Sequence, residues 1–167
     1  MKIFIGLIIA LIALTGCVAS GSFEQGVQKL NSIDAKYGVT QENIGPDSMA
    51  QIASYKTELN SYRKEIESNA INLDKEKLLE LIDLKLALNS LQETQFKAIA
   101  QLDSGNACDA IDSFQKVNTQ IPAIESKIIS AKAKNANLAN YFSGISGTVS
   151  LIRQENTNLI QLLQQSC

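Results

Sequence analysis

The sequence contains no histidine and no tryptophan in its 167 residues, and it contains only two prolines. Histidine is the commonest general base and the commonest metal ligand in proteins. Its absence excludes Ser-His-Asp and Cys-His catalysis, and it also excludes zinc and di-iron sites that depend on histidine. We therefore expect no enzymatic activity, no cofactor and no metal.

The sequence also lacks any block of basic residues. It has 15 basic and 17 acidic side chains, which gives a net charge of −2. Nucleic-acid binding requires clustered Lys and Arg that neutralise phosphates, so we expect no nucleic-acid partner. The same scarcity argues against an electrostatic attachment to anionic lipid.

The one long apolar run lies at the start of the chain, where Lys2 precedes residues 3–14 and small residues then lead to Cys17. This order is typical of a secretion signal. The motif Leu14-Thr15-Gly16-Cys17 resembles the lipobox of bacterial and archaeal lipoproteins. In that class the chain is cut before the cysteine, and a lipid is attached to its sulfur. The resemblance implies a signal peptide over 1–16, a lipidated tether over 17–21, and a protein on the cell membrane or outer membrane that faces the periplasm or the cell exterior.

Two other interpretations of this segment remain. An uncleaved transmembrane anchor would need about 20 apolar residues. Residues 3–19 are fewer than that, and they are interrupted by Gly6, Thr15, Gly16 and Cys17. A plain secretory signal without lipid is the third interpretation.

The other two cysteines form an even pair. If Cys17 carries a lipid, Cys108 and Cys167 remain in an oxidising compartment, where a disulfide is favoured. Closing a loop of about 58 residues would stabilise the fold by roughly 4 kcal/mol on the chain-entropy estimate. Two free thiols are the alternative.

Apolar residues recur at helical spacing after the tether, and no alternating strand pattern of useful length is present. We predict an all-α fold, a single antiparallel bundle of five to six helices over 22–167. The first helix is expected to begin at Ser22, and Pro46, with Asp47 and Ser48, marks the start of the second. The third helix, from Asp74 to about Asp103, has a wide apolar arc and is expected to be central.

The second half of the chain contains residues that disfavour helix. Pro122 is expected to stop or kink a helix because it lacks a backbone N–H. We therefore predict a separate helix from about Pro122 to Tyr141, and a loosened chain at Gly144 and Gly147 before the last helix.

Tyr55 and Tyr62 lie on the apolar seam of the second helix, which shows a heptad-like spacing. They could line a pocket for a small apolar ligand within the bundle, or they could fill the core with their hydroxyls at its edge.

Residues 105–117, with the later Pro122, resemble the second half of a tetratricopeptide repeat. The matching positions are Gly105 at the turn, Ala110 at the helix contact, Phe114 four residues later, and Pro122 at the end. The resemblance implies a peptide-binding groove. The preceding helix departs from the repeat pattern and no second copy follows, so an ordinary helical hairpin is the alternative.

Glu76, Glu80 and Asp83 share one helical face with interspersed lysines that include Lys85. Paired carboxylates can bind calcium, but the mixed charges favour a solvated outer face.

These observations predict a membrane-anchored extracytoplasmic lipoprotein, a non-enzymatic helical interaction or envelope-structural module with a protein partner. The alternatives are a binding protein for a small apolar ligand and a tetratricopeptide-like adaptor for peptides.

Overall fold

The computed structural model describes residues 22–37, 48–68, 74–165 and 167, and all regular structure in these ranges is helical. The predicted all-α class is confirmed, with five α-helices in the described ranges and no sixth. The helices are α1 (Ser22–Tyr37), α2 (Ser48–Ser68), α3 (Lys75–Asp103), α4 (Ala107–Lys134) and α5 (Ala139–Gln164).

Polar contacts between consecutive helices show that the neighbours are antiparallel. Ser113 on α4 contacts Gln101 on α3, whereas Ser130 further along α4 contacts Glu80 near the start of α3. A rising residue number on one helix therefore meets a falling number on the next. The other consecutive pairs show the same order, in Lys29–Glu65 and Lys36–Glu58, in Lys56–Glu93 and Arg63–Asp83, and in Asn118–Thr157 and Glu125–Arg153.

Helix α3 is central, as its wide apolar arc predicts, because it packs against α1, α2 and α4. Five of its ten leucine and isoleucine side chains are almost completely buried; these are Leu78, Leu81, Ile82, Leu84 and Leu91. Helix α4 lies between α3 and α5. This order places the two longest helices in the interior of the bundle.

The buried apolar side chains form two separate groups. The larger group, called the main core here, draws on all five helices and includes Leu30, Leu59, Leu84, Ile121 and Ile152. The smaller group, called the small core, lies between the end of α3, the start of α4 and the end of α5. It consists of Ala98, Ala110, Phe114, Leu159 and Leu163.

Helix α1 approaches its neighbours closely at Gly26. A Cβ atom at this position would lie 2.5 Å from Cδ1 of Leu78 and 3.1 Å from the hydroxyl oxygen of Tyr62. Leu78 is itself fully buried, so a shift of its side chain would have to displace its neighbours in the main core. Glycine at this position therefore lets α1 contact α2 and α3 along a single face.

Gly26→Ala is expected to lower the free energy of unfolding by about 1–3 kcal/mol, since it overfills a packed interface. Chemical denaturation measures this change. The matched control is Gly147→Ala in α5, where a Cβ meets no atom within 4 Å. Because alanine is the better helix former, the control should be stabilised by about 0.5–1 kcal/mol. Equal stability of the two variants would contradict the close approach at Gly26.

The prediction of a helix break at Pro122 is wrong, since α4 continues through this residue to Lys134. Proline in a helix interior costs about 3 kcal/mol. Four side chains around it, Val117, Ile121, Ile124 and Ile128, are buried against α3 and α5. Burying each contributes about 1.5–3 kcal/mol, so their sum exceeds the cost of the proline. Pro122 itself lies on the exposed side of the helix.

The predicted loosening at Gly144 and Gly147 is also wrong, because both lie inside α5. The break falls earlier, at Asn135 and the 3₁₀ turn Ala136–Leu138. Asn135 is buried, and its backbone N–H and its side-chain Nδ2 both donate to the carbonyl oxygen of Ala131 at 3.0 Å. These bonds satisfy the end of α4 and thereby fix the place where the chain turns.

Candidate functional site

An ion pair between α1 and α3 lies inside the bundle. The Nζ atom of Lys85 contacts Oδ2 of Asp34, and the two side chains are only 8% and 14% exposed. The prediction that Lys85 lies on a solvated face is wrong. Because α3 is covered on several sides, a residue between its apolar positions is buried as well.

Two tyrosines complete the surroundings of this ion pair. The hydroxyl of Tyr55 on α2 donates to Oδ1 of Asp34 at 2.5 Å. The Nζ atom of Lys85 lies 5.0 Å from the ring centroid of Tyr141 on α5, within the range of a cation–π contact. Asp34, Tyr55, Lys85 and Tyr141 are called the ion-pair cluster below. Four of the five described helices therefore meet at one buried charge pair.

Burial and the neighbouring side chains shift the pKa of Lys85 in opposite directions. Burial alone would lower the pKa of Lys85, but Tyr141 and Asp34 raise it by more, so the net pKa lies above its usual value. Burial also raises the pKa of Tyr141, and burial together with Asp34 raises the pKa of Tyr55. At neutral pH the amine is therefore charged and both phenols are protonated.

This protonation state determines what the ion-pair cluster can do. Nucleophilic lysines act as neutral amines, with a pKa lowered by burial or by another cation. Lys85 has the opposite shift and a carboxylate partner. The arrangement is suited to a structural role, in which these contacts fix the position of α1 relative to α2, α3 and α5.

Tyr62, the second tyrosine of the α2 seam, is 3% exposed. Its hydroxyl donates to the carbonyl oxygen of Gly26 at 3.0 Å. Burial, with a smaller effect of Glu65, raises the pKa of Tyr62 to about 12. Tyr55 and Tyr62 thus both direct their hydroxyls at α1, one at a side chain and the other at the backbone.

The disulfide expected between Cys108 and Cys167 is present in the structure. The Cα atoms are 5.8 Å apart, within the usual range for a bridge. Cys108 lies in the first turn of α4, and Cys167 lies just beyond the end of α5. The bond therefore joins these two helices at the end of the bundle that holds the small core.

The predicted acidic face of α3 is not uniformly exposed to solvent, because two of its three carboxylates form ion pairs with neighbouring helices. Oε2 of Glu80 lies 3.3 Å from Nζ of Lys134 on α4, and Oδ1 of Asp83 lies 2.8 Å from Nε of Arg63 on α2. Glu76 is exposed, as expected. Two of the three carboxylates thus connect α3 to its neighbours, since α3 contacts other helices on several sides.

Within the described ranges, no group of three or more His, Cys, Asp or Glu side chains is arranged to hold a metal ion. No helix in those ranges is both long and apolar enough to span a bilayer. Cys17 and the apolar run before it lie outside the described residues.

The residues that resemble a tetratricopeptide repeat lie in the turn between α3 and α4 and in α4 itself. Gly105 has φ of +84°, a conformation that side chains other than glycine rarely adopt. Ala110 and Phe114 are fully buried in the small core. Pro122 lies within α4 and not at its end.

No protein-family model, curated protein or solved structure matches this chain. An assignment of function therefore depends on the residues of this chain alone.

Sequence analysis missed Asp34, Lys85 and Tyr141 as a group, because they are far apart in the chain. A local signal existed for Lys85. Ile82 lies four residues after Leu78, and Lys85 lies three residues after Ile82, so the three residues share a single helical face. A lysine that continues an apolar stripe on a central helix predicts a buried charge, and a buried charge requires a partner.

Proposed function

We propose that this chain is an extracytoplasmic lipoprotein whose helical domain is held at a membrane surface by lipid on Cys17, and that it acts as a non-enzymatic interaction or envelope-structural module. The motif Leu14-Thr15-Gly16-Cys17 at the end of the apolar run is the observation that carries this proposal. The Cys108–Cys167 disulfide supports it, because such bonds persist in oxidising compartments outside the cytoplasm.

The position of α1 supports a domain close to the bilayer. Only residues 18–21 separate Cys17 from the first residue of α1. Four residues span at most about 15 Å, so the start of α1 would lie near the lipid headgroups. With the antiparallel order of the helices, the end of α2, the start of α3 and the end of α4 would then lie on the membrane side.

The opposite end of the bundle would project away from the membrane. Helix α3 has 29 residues and extends over about 43 Å. Gly105 and the disulfide lie at its far end. We propose that this covalently closed end is the part of the domain available to an extracytoplasmic protein partner.

Cys17→Ser is expected to abolish lipid attachment and to release the protein from membranes. Incorporation of an alkyne-labelled fatty acid, membrane fractionation and intact mass measure this in bacteria that express the full chain. The wild-type protein should take up the label, lose residues 1–16 and fractionate with membranes.

The matched control is the double variant Cys108→Ser/Cys167→Ser, which removes the other two cysteines and should still take up lipid. An unlabelled wild-type protein, or one that retains residues 1–16, would refute the lipoprotein assignment. The interaction role has a separate test, cross-linking in cells followed by purification from detergent-solubilised membranes. Repeated recovery of the labelled protein alone would refute that role and leave the anchor intact.

A further inference from the structure

Uncharged polar side chains from three helices lie at one level of the bundle. Nε2 of Gln120 on α4 donates to Oγ1 of Thr94 on α3 at 3.2 Å. Nδ2 of Asn118, also on α4, donates to Oγ1 of Thr157 on α5 at 3.5 Å. These bonds align the three helices at this height. The set is called the polar layer here and consists of Thr94, Gln95, Asn118, Gln120, Asn156 and Thr157.

The polar layer separates the two cores. On α5, Asn156 lies between Ile152 of the main core and Leu159 of the small core. On α3, Gln95 occupies the same kind of position, between Leu91 of the main core and Ala98 of the small core. On each helix, the amide therefore occupies a position where the regular spacing of the core residues would otherwise place an apolar side chain.

Several amide atoms of the polar layer have no protein partner. Asn156 is 0% exposed, and neither its Oδ1 nor its Nδ2 has a hydrogen-bond partner within the described part of the chain. Gln95 is 5% exposed, and its Nε2 has no partner there either. The same is true of Oδ1 of Asn118. Folded proteins satisfy nearly all such atoms, and where protein groups do not reach them, ordered water does.

We propose that the polar layer binds ordered water at the unpartnered amide groups of Gln95 and Asn156. A water molecule makes up to four hydrogen bonds, two as donor and two as acceptor. The layer offers donors on Gln95 and Asn156 and acceptors on Asn118 and Asn156, a set that matches both functions of water. An ion fits poorly, because none of the six residues is charged.

The test uses the purified protein with isotope labels. Nuclear Overhauser spectra should show contacts between long-lived water and the side-chain NH₂ protons of Gln95 and Asn156. The side-chain amide of Asn60 is the internal reference, because it is half-buried and donates to the carbonyl of Lys56. It should show no contact with long-lived water. The contacts should persist in Thr94→Val/Thr157→Val, which removes the hydroxyl protons that could imitate water.

A second measurement counts the internal water directly. Oxygen-17 relaxation dispersion should detect at least one fewer long-lived water in Asn156→Leu than in the wild type, and Gln95→Leu serves if Asn156→Leu does not fold. Absence of water contacts at both amides in the wild type would overturn the proposal. An unchanged water count in a folded variant, or a direct hydrogen bond between the two amides, would also overturn it.

Discussion

Lys85→Met should lower the free energy of unfolding by about 3–5 kcal/mol, the range measured when one partner of a buried ion pair is removed. Asp34 would remain as a largely buried carboxylate with Tyr55 as its hydrogen-bond donor. Urea denaturation, followed by circular dichroism, measures the change. We expect the lower end of the range, because Asp34 keeps some contact with solvent.

Two further variants distinguish the ion pair from general damage to the packing. Asp34→Leu combined with Lys85→Met removes both charges, so it should recover most of the loss. Lys29→Met tests an exposed pair, since Lys29 and Glu65 are each about half exposed; it should change the stability by at most about 1 kcal/mol. A double variant as unstable as Lys85→Met would contradict the role of the charge pair.

Cys108→Ser/Cys167→Ser should lower the free energy of unfolding by about 2–5 kcal/mol. The loss has a structural reason beyond chain entropy. The small core contains two alanines and only three larger side chains, and the polar layer isolates it from the main core. Without the disulfide, the contact between the start of α4 and the end of α5 depends on the small core and on the half-buried side chains around it, such as Ile111 and Ile160.

Hydrogen exchange locates this effect. Amides in 107–114 and 159–164 should exchange faster in the double serine variant, whereas amides in 78–91, within the main core, should change little. The reduced wild-type protein should behave like the variant. This comparison shows that the effect comes from loss of the disulfide and not from the serine side chains. Uniform acceleration along the whole chain would contradict a local role of the disulfide.

Much of the helical framework could be predicted from local pattern. The start of α1 at Ser22 and the end of α3 at Asp103 both follow from the apolar spacing and from the residues that cap helices. Helix α3 was expected to be central because its apolar arc is wide. These properties depend on residues that are close together in sequence, so they can be predicted from one sequence alone.

The errors at Pro122 and Gly147 have one physical cause. Local propensity is a small energy, and it decides a helix boundary only where tertiary packing is weak. Ile121 and Ile124 are buried on either side of Pro122. The packing against α3 and α5 was not visible in the sequence, so the local penalty was overestimated.

The polar layer left a signal that sequence analysis did not use. Val149, Ile152, Leu159 and Leu163 form an apolar stripe along the last helix, but this stripe has a gap. Asn156 fills the gap at the regular spacing, and an asparagine in such a seam is typical of a buried polar contact. Its place at the level of Gln95 could not be predicted, since the register between α3 and α5 depends on the intervening helix α4.

The attachment of α1 has a mechanical consequence. Tension applied to the residues before Ser22 along the axis of α1 would enter the domain through this helix. The contact of Gly26 with Tyr62 lies near the start of α1, and that of Asp34 with Lys85 lies near its end. Both resist sliding at the same time, so the helix is loaded in shear and does not peel away one contact after another.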